Sequence, residues 1–326
     1  PLYDEVEELI GVAGDADELP ALINRHAPRS GPLPMPSGIH QHSSTLLAKG
    51  CTSVGLHPYV VPMAINSEPY RGRPACNDCG FCSGYGCPIN AKGSVAPLRE
   101  ALLTGNVQLR YNCVATRLVT DASGRRVASV SYLDPDGKPA SVSGDRVVLA
   151  ANGIESPRLC LLSDPGGPGL GNSSGLLGRC LMFHYQTIAV GLYPQSLHGE
   201  RGRSVTTGIA DFRGVPNDPS RPLGGIIEFG TNSEKITDAL TYMVSLGQKG
   251  PSLKKFLRSS PFGSHNAVLI MQAEDSPQLT NRVDLDPDLK DVNGLPVPRI
   301  TYKPHAMELA SRAFYGPKMI ELHGAA

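Results

Sequence analysis

The stretch from Val147 to Ala151 is a continuous apolar run, and Gly153 follows it closely. A run without polar alternation marks a strand buried on both faces, as in a parallel sheet. Just past it, Ser156 and Pro157 predict a helix with Pro in its first position and Leu159, Cys160 and Leu162 turned inward. Ahead of it, residues 107–111, 115–120, 126–133 and 140–143 read as strands of a meander. The turn formers around Asp121 to Gly124 and Asp134 to Gly137 divide them. Together these elements predict a mixed α/β fold built around a buried sheet.

Elsewhere the pattern changes. Tyr3 to Val12 predicts a short amphipathic helix with Val6, Leu9 and Ile10 on one face. Residues 15–93, broken by the prolines of segment 28–36, read as irregular loops. Ser94 caps a predicted helix over 95–104. From His184 on, alternating residues predict strands at 187–193, 204–212, 225–230, 267–273, 282–286 and 299–302, which suits a second, antiparallel domain. A closing helix over 305–323 is expected to kink or split at Gly316 and Pro317. The resulting division is 1–93 for the N-terminal helix and loop excursion, 94–182, 183–303 for the antiparallel sheet domain, and 304–326 for the start of a return segment.

The formal charge is zero, from 30 basic and 30 acidic residues, which removes the electrostatic reason to expect nucleic acid or an anionic membrane surface. Small neutral molecules suit the chain better. No apolar run approaches the roughly 20 residues that a membrane-spanning helix needs. With 40% hydrophobic and 18% charged residues, the composition is that of an ordinary globular protein, while 36 Gly and 29 Pro imply many shaped loops.

Cys76, Cys79, Cys82 and Cys87 fall within twelve residues, spaced C-x2-C-x2-C-x4-C and followed by Pro88. This approaches the ferredoxin run, which has three residues before its last cysteine, and short glycine-bearing loops allow four thiolates to converge on an iron–sulfur cluster. Plain or disulfide-linked thiols shaping a loop, a zinc site and inert buried cysteines are the alternatives. Cys51, Cys113, Cys160 and Cys180 stand singly and are expected in the core.

Several motifs occur in an order that resembles one family. They are the Cys79 to Cys87 segment with Pro88, Ala91 to Ser94, Leu149 to Leu159, Gly171 to Gly175 with Gly178, Arg179 and His184, and Asn281 to Pro296. The chain resembles the glucose-methanol-choline (GMC) flavoprotein oxidoreductases, in their gluconate-dehydrogenase-like branch, from about Tyr3 to His305. The resemblance implies the second half of a doubly wound FAD-binding domain and an antiparallel substrate domain. It implies that the backbone of Ala115 recognises the adenine ring, and that Ala150, Ala151, Asn152 and Gly153 let the chain approach the cofactor. Asn152 stands where Gly is commoner. Asn172, Gly175, Arg179 and His184 would line the flavin or substrate side. Close packing and a backbone-satisfied histidine explain the same residues without a ligand.

The chain starts at Pro1 without an initiator Met and reads as an internal part of a longer polypeptide. On that reading the family's glycine fingerprint for FAD precedes Pro1, and its catalytic histidine lies beyond Ala326. No catalytic residue is then expected within these 326 residues, which alone would neither hold FAD tightly nor turn over substrate. The loop from Gly169 to Gly175 is only a near miss to a phosphate cradle, since it follows a helix rather than a strand. The expected function is FAD-dependent oxidation of a CH–OH group in a small alcohol or sugar, with an iron–sulfur cluster as a second cofactor if the four cysteines hold one. An iron–sulfur electron carrier and a non-catalytic relative of the fold are the rivals. Substrate identity, the electron acceptor, small-subunit or membrane association and compartment are not encoded in any pattern found.

Overall fold

The computed structural model describes residues 2–26, 28–79, 87–93, 96–199, 201–214, 222–230, 247, 249–259 and 264–326. In chain order its elements are α1 (Leu2–Ile10), α2 (Ala21–His26), α3 (His42–Ser53), β1 (Pro58–Val60), α4 (Ala96–Leu103), β2 (Val114–Thr120), β3 (Val127–Leu133), β4 (Pro139–Ser143) and α5 (Asn152–Leu162). There follow β5 (Gln186–Leu192), β6 (Val205–Ile209), β7 (Gly225–Gly230), α6 (Pro251–Ser259), β8 (Asn266–Ala273), β9 (Arg282–Lys290), β10 (Pro296–Thr301) and α7 (Ala306–Ala325). The chain divides into two units. One comprises Pro1–Val107, Tyr185–Glu274 and Met307–Ala326; the other comprises Gln108–His184 and Asp275–Ala306.

The first unit is organised on a five-stranded antiparallel sheet ordered β1-β6-β7-β8-β5. Strand side chains alternate between faces, and here one face carries Ile209, Ile227, Phe229, Leu269 and Met271, all fully buried. Leu47 and Cys51 of α3 and Tyr315, Met319 and Leu322 of α7 belong to the same core. Burial of each such large apolar side chain contributes roughly 1.5–3 kcal/mol. Gly191 of β5 is held to glycine by packing, because a Cβ there would stand 2.5 Å from the imidazole of His323.

The second unit holds the antiparallel meander β2-β3-β4, the hairpin β9-β10 and helix α5. Arg158 of α5 clamps the hairpin: Nη2 bonds Asp291 at 2.7 Å, Nε donates to the Pro296 carbonyl at 2.9 Å, and Nη1 meets Glu155 at 3.1 Å. At the other end of α5, the Ser163 hydroxyl accepts the Leu118 amide of β2 at 2.8 Å.

The fold is thus a mixture of helix and antiparallel sheet, and several local expectations need correction. The run 147–151 forms no strand; no described strand pairs with it, and Val148 is 87% exposed. An apolar run becomes a buried strand only where neighbouring strands satisfy its backbone. Residues 107–111 also form no strand. Helix α5 starts at Asn152 rather than at Pro157, because the Asn152 side chain accepts the amides of Ile154 at 2.8 Å and Glu155 at 3.1 Å. A side-chain oxygen that takes up these first free amides fixes a helix start. Segment 15–93 is not all loop: α3 lies within it, burying Ser43, Ser44, Leu47, Gly50 and Cys51. Helix α7 runs 20 residues through Pro317 as one element. Of the four single cysteines, Cys51 is fully buried, while Cys113, Cys160 and Cys180 are only partly so.

Candidate functional site

Ala115 lies on β2 opposite Tyr132 of β3, and its residue is exposed. Arg110 reaches the Tyr132 hydroxyl, its guanidinium 5.6 Å above the ring. Ala150, Ala151, Asn152 and Gly153 form an exposed corner that leads into α5. Asn152 takes a left-handed conformation, φ 65°, which Asn tolerates better than most residues. The Ala151 amide is taken by Ser156 Oγ at 3.1 Å. A Cβ built on Gly153 would meet nothing within 4 Å. The second unit therefore carries all five of these exposed residues on β2 and at the entry to α5, elements that pack together. Among the described residues, nothing lies within 4 Å of a Cβ built on Gly153, so a ligand can approach the corner there.

A cleft of about 520 Å³ lies at the opposite end of α5, lined by Arg117, Thr120, Ser163, Asp164, Gly171 and Asn172 among others. It includes none of the five residues above, so its size does not make it their site. Part of its wall is the loop from Gly169, whose amides are already used. Gly169 N–H donates to Asp164 Oδ2 at 3.1 Å, Leu170 N–H to the Cys160 carbonyl, and Gly175 N–H to the Asn172 carbonyl. A phosphate cradle needs several amides pointing outward, and this loop spends these three internally. His184 is exposed, and Arg179 donates to the Leu279 carbonyl at 3.3 Å.

In the first unit, the chain bearing the cysteines is anchored by two buried polar residues that sequence reasoning did not single out. Asn66, fully buried, donates Nδ2 to the carbonyls of Arg73 and Pro74 at 3.2 Å, and its main-chain carbonyl accepts the Cys76 amide at 2.8 Å. Arg73, 2% exposed, donates to the Ile10 carbonyl at 2.7 Å and the Ala91 carbonyl at 3.4 Å. Gly93 must be small because a Cβ would come within 2.1 Å of the Ile10 carbonyl oxygen.

Cys76, Cys79 and Cys87 are half-buried, and Cys82 lies outside the described residues. The Cys76 sulfur accepts the Asp78 amide at 3.4 Å, and the Cys87 sulfur accepts the Ala91 amide at 3.2 Å. Burial pushes the Cys87 thiol up, but the amides of Ile89, Ala91, Lys92 and Asn90 outweigh it and hold the group below the usual thiol range. Among the described residues, no three His, Cys, Asp or Glu side chains come together as a metal-holding group. Nor is any described helix long and apolar enough to cross a membrane.

Residues 2–186, more than half of the chain, match the family model described as GMC oxidoreductase. The chain belongs to the GMC oxidoreductase family. Membership implies FAD as the cofactor. The chain is 32% identical over 310 residues to the fructose dehydrogenase large subunit of Gluconobacter japonicus, covering 93% of this chain and 54% of that protein. It is 30% identical over 330 residues to the gluconate 2-dehydrogenase flavoprotein of Pantoea cypripedii, covering 93% and 52%. A 2-methyl-1,2-propanediol dehydrogenase of Mycolicibacterium austroafricanum is 28% identical over 326 residues, covering 95% and 56%. The chain spans about half the length of these curated relatives. The first two support the gluconate-dehydrogenase-like branch of the GMC family.

Proposed function

We propose that the protein is an FAD-dependent oxidoreductase acting on the CH–OH group of a small alcohol or sugar. The observation that carries the reading is the uncovered corner of small residues at Ala150 to Gly153, within the stretch that matches the family. There and at Ala115 the residues are small and exposed, so they fit the group that the family implies. Ala115 would offer its backbone N–H and carbonyl to the adenine, and the corner would let the chain approach the cofactor closely. When bound, FAD supplies a hydride acceptor, while the protein orients the donor. The division into an FAD-binding part at 94–182 and a substrate part at 183–303 belongs to the same proposal.

Gly153→Leu tests it. Since nothing lies within 4 Å of the added Cβ and leucine is a better helix former than glycine, the fold should be unchanged. In the full-length protein, flavin absorbance per protein should fall at least tenfold in the variant. Unaltered flavin content would remove the corner from the cofactor site.

A second cofactor is proposed at Cys76, Cys79, Cys82 and Cys87. What supports an iron–sulfur cluster is the spacing together with peptide N–H groups already directed at the sulfurs of Cys76 and Cys87. Such hydrogen bonds tune cluster ligands. Iron and acid-labile sulfide in the purified protein, both lost in Cys87→Ser, are the expected result; iron-free protein with normal flavin would end this part of the reading.

A further inference from the structure

The cleft of about 520 Å³ at the C-terminal end of α5 lies apart from the cofactor corner, and two opposite charges line it. Strand β2 supplies Arg117, the end of α5 supplies Ser163 and Asp164, and the loop that follows supplies Asn172 and Ser173. The 2.8 Å bond from the Leu118 amide to Ser163 Oγ ties strand to helix end. Arg117 and Asp164 are the chain neighbours on either side of that bond, so the fold itself brings a cation and an anion to one cleft.

The two groups do not neutralise each other. Among the described residues, the Arg117 guanidinium, which is exposed, has neither a hydrogen bond nor an ion pair. Asp164 is oriented by its own loop: Oδ2 accepts the Gly169 amide at 3.1 Å, and Gly167 packs so close that a Cβ there would stand 2.2 Å from the same oxygen. Oδ1 has no described partner and is open to solvent. Asn172, by contrast, is spent within the loop, Nδ2 on the Pro168 carbonyl at 2.7 Å and Oδ1 on the Leu177 amide at 2.9 Å.

A cleft of this volume falls in the usual range for small-molecule sites, about 300–1,000 Å³. Asp164 follows Ser163, which closes α5, and the unpaired carbonyls of a helix C-terminus favour a cation. An ammonium group is therefore drawn to the Asp164 side. A carboxylate is drawn to Arg117, whose guanidinium can meet it through two parallel N–H bonds. A ligand with one charge is attracted by one wall and repelled by the other, so the pair selects molecules that carry both signs.

We infer that this cleft binds a small zwitterion of the amino-acid class, its carboxylate on Arg117 and its ammonium on Asp164 Oδ1. The site does not depend on the oxidoreductase reading, since neither Ala115 nor the corner from Ala150 to Gly153 lines it.

The test titrates glycine, γ-aminobutyrate and glycylglycine into the full-length protein, with butyrate and butylamine as single-charge controls, and follows binding by ligand-observed NMR. The tightest zwitterion should bind at least fivefold better than either control and should slow amide hydrogen exchange across residues 163–173. Arg117→Gln removes a group with no described partner, and Asp164→Asn can still accept the Gly169 amide, so both variants keep the fold. Each should bring the zwitterion down to the level of the controls. Zwitterions that bind no better than butyrate and butylamine, or a preference that survives both substitutions, would overturn the inference.

Discussion

Arg158 gives the most demanding test of the second unit, because one side chain joins α5 to the β9-β10 hairpin through two of its three contacts. Its side chain is 11% exposed, against 22% for Asp291 and 45% for Glu155. The Glu155 contact, being half-exposed, contributes a few tenths of a kcal/mol. The bond to Asp291 is charge-assisted and more sheltered, which puts it near the lower end of the usual range, about 1.5–2 kcal/mol. Removing the guanidinium also leaves the Pro296 carbonyl without this donor, at about 1 kcal/mol. Arg158→Met, which keeps most of the apolar stem, should therefore weaken the hairpin by about 3 kcal/mol, roughly a hundredfold in its local opening equilibrium. Amide hydrogen exchange reads this directly. Protection should fall across β9, β10 and the C-terminal half of α5 and stay unchanged in β7 and β8. Arg158→Lys should recover only part of the loss, since an ammonium cannot serve both the carboxylate and the carbonyl. Exchange in β9 and β10 within twofold of the parent would refute the clamp.

Two further outcomes follow from perturbed groups. Burial holds His323 below the ordinary imidazole value, and its Nε2 donates to the Ala189 carbonyl at 3.1 Å while Nδ1 accepts from the Tyr193 hydroxyl at 3.0 Å. The unfolded chain then binds a proton that the folded one refuses, so this contribution is full above about pH 6.5 and is lost as pH falls below it. His323→Asn should flatten the slope of melting temperature against pH between 7 and 5, and an unchanged slope would contradict the assignment. In iron-free, reduced protein, Cys87 should be alkylated by iodoacetamide faster at pH 7 than Cys160, whose thiol is pushed up by burial. Peptide mass mapping over time reads the order, and equal rates would dismiss the amide cradle around the Cys87 sulfur.

Strands were legible where residues alternate and turn formers bracket them, as in 115–120 with Asp121 to Gly124 after it, or 225–230 and 267–273. Helix α3 was not, because its buried face is built from Ser43, Ser44 and Gly50 as much as from Leu47, and Ser44 turns its hydroxyl to the Phe229 carbonyl at 3.0 Å. Hydropathy cannot reveal a face made of small polar residues that find partners only in the folded chain. The reverse holds for 147–151, whose apolar composition speaks for a strand but with which no described strand pairs. Around the candidate site, the small residues at Ala150 to Gly153 could be read directly. Asn66 and Arg73 could not, since their importance lies in carbonyls contributed by segments as distant as Ile10 and Ala91.

Anaerobic titration of the FAD-loaded full-length protein with a panel of sugars, polyols and simple alcohols addresses the functional reading most directly. At least one donor should bleach the flavin band near ~450 nm, with one carbonyl product formed per flavin reduced. Flavin that stays oxidised against every CH–OH donor, or protein that retains no flavin at all, would contradict it.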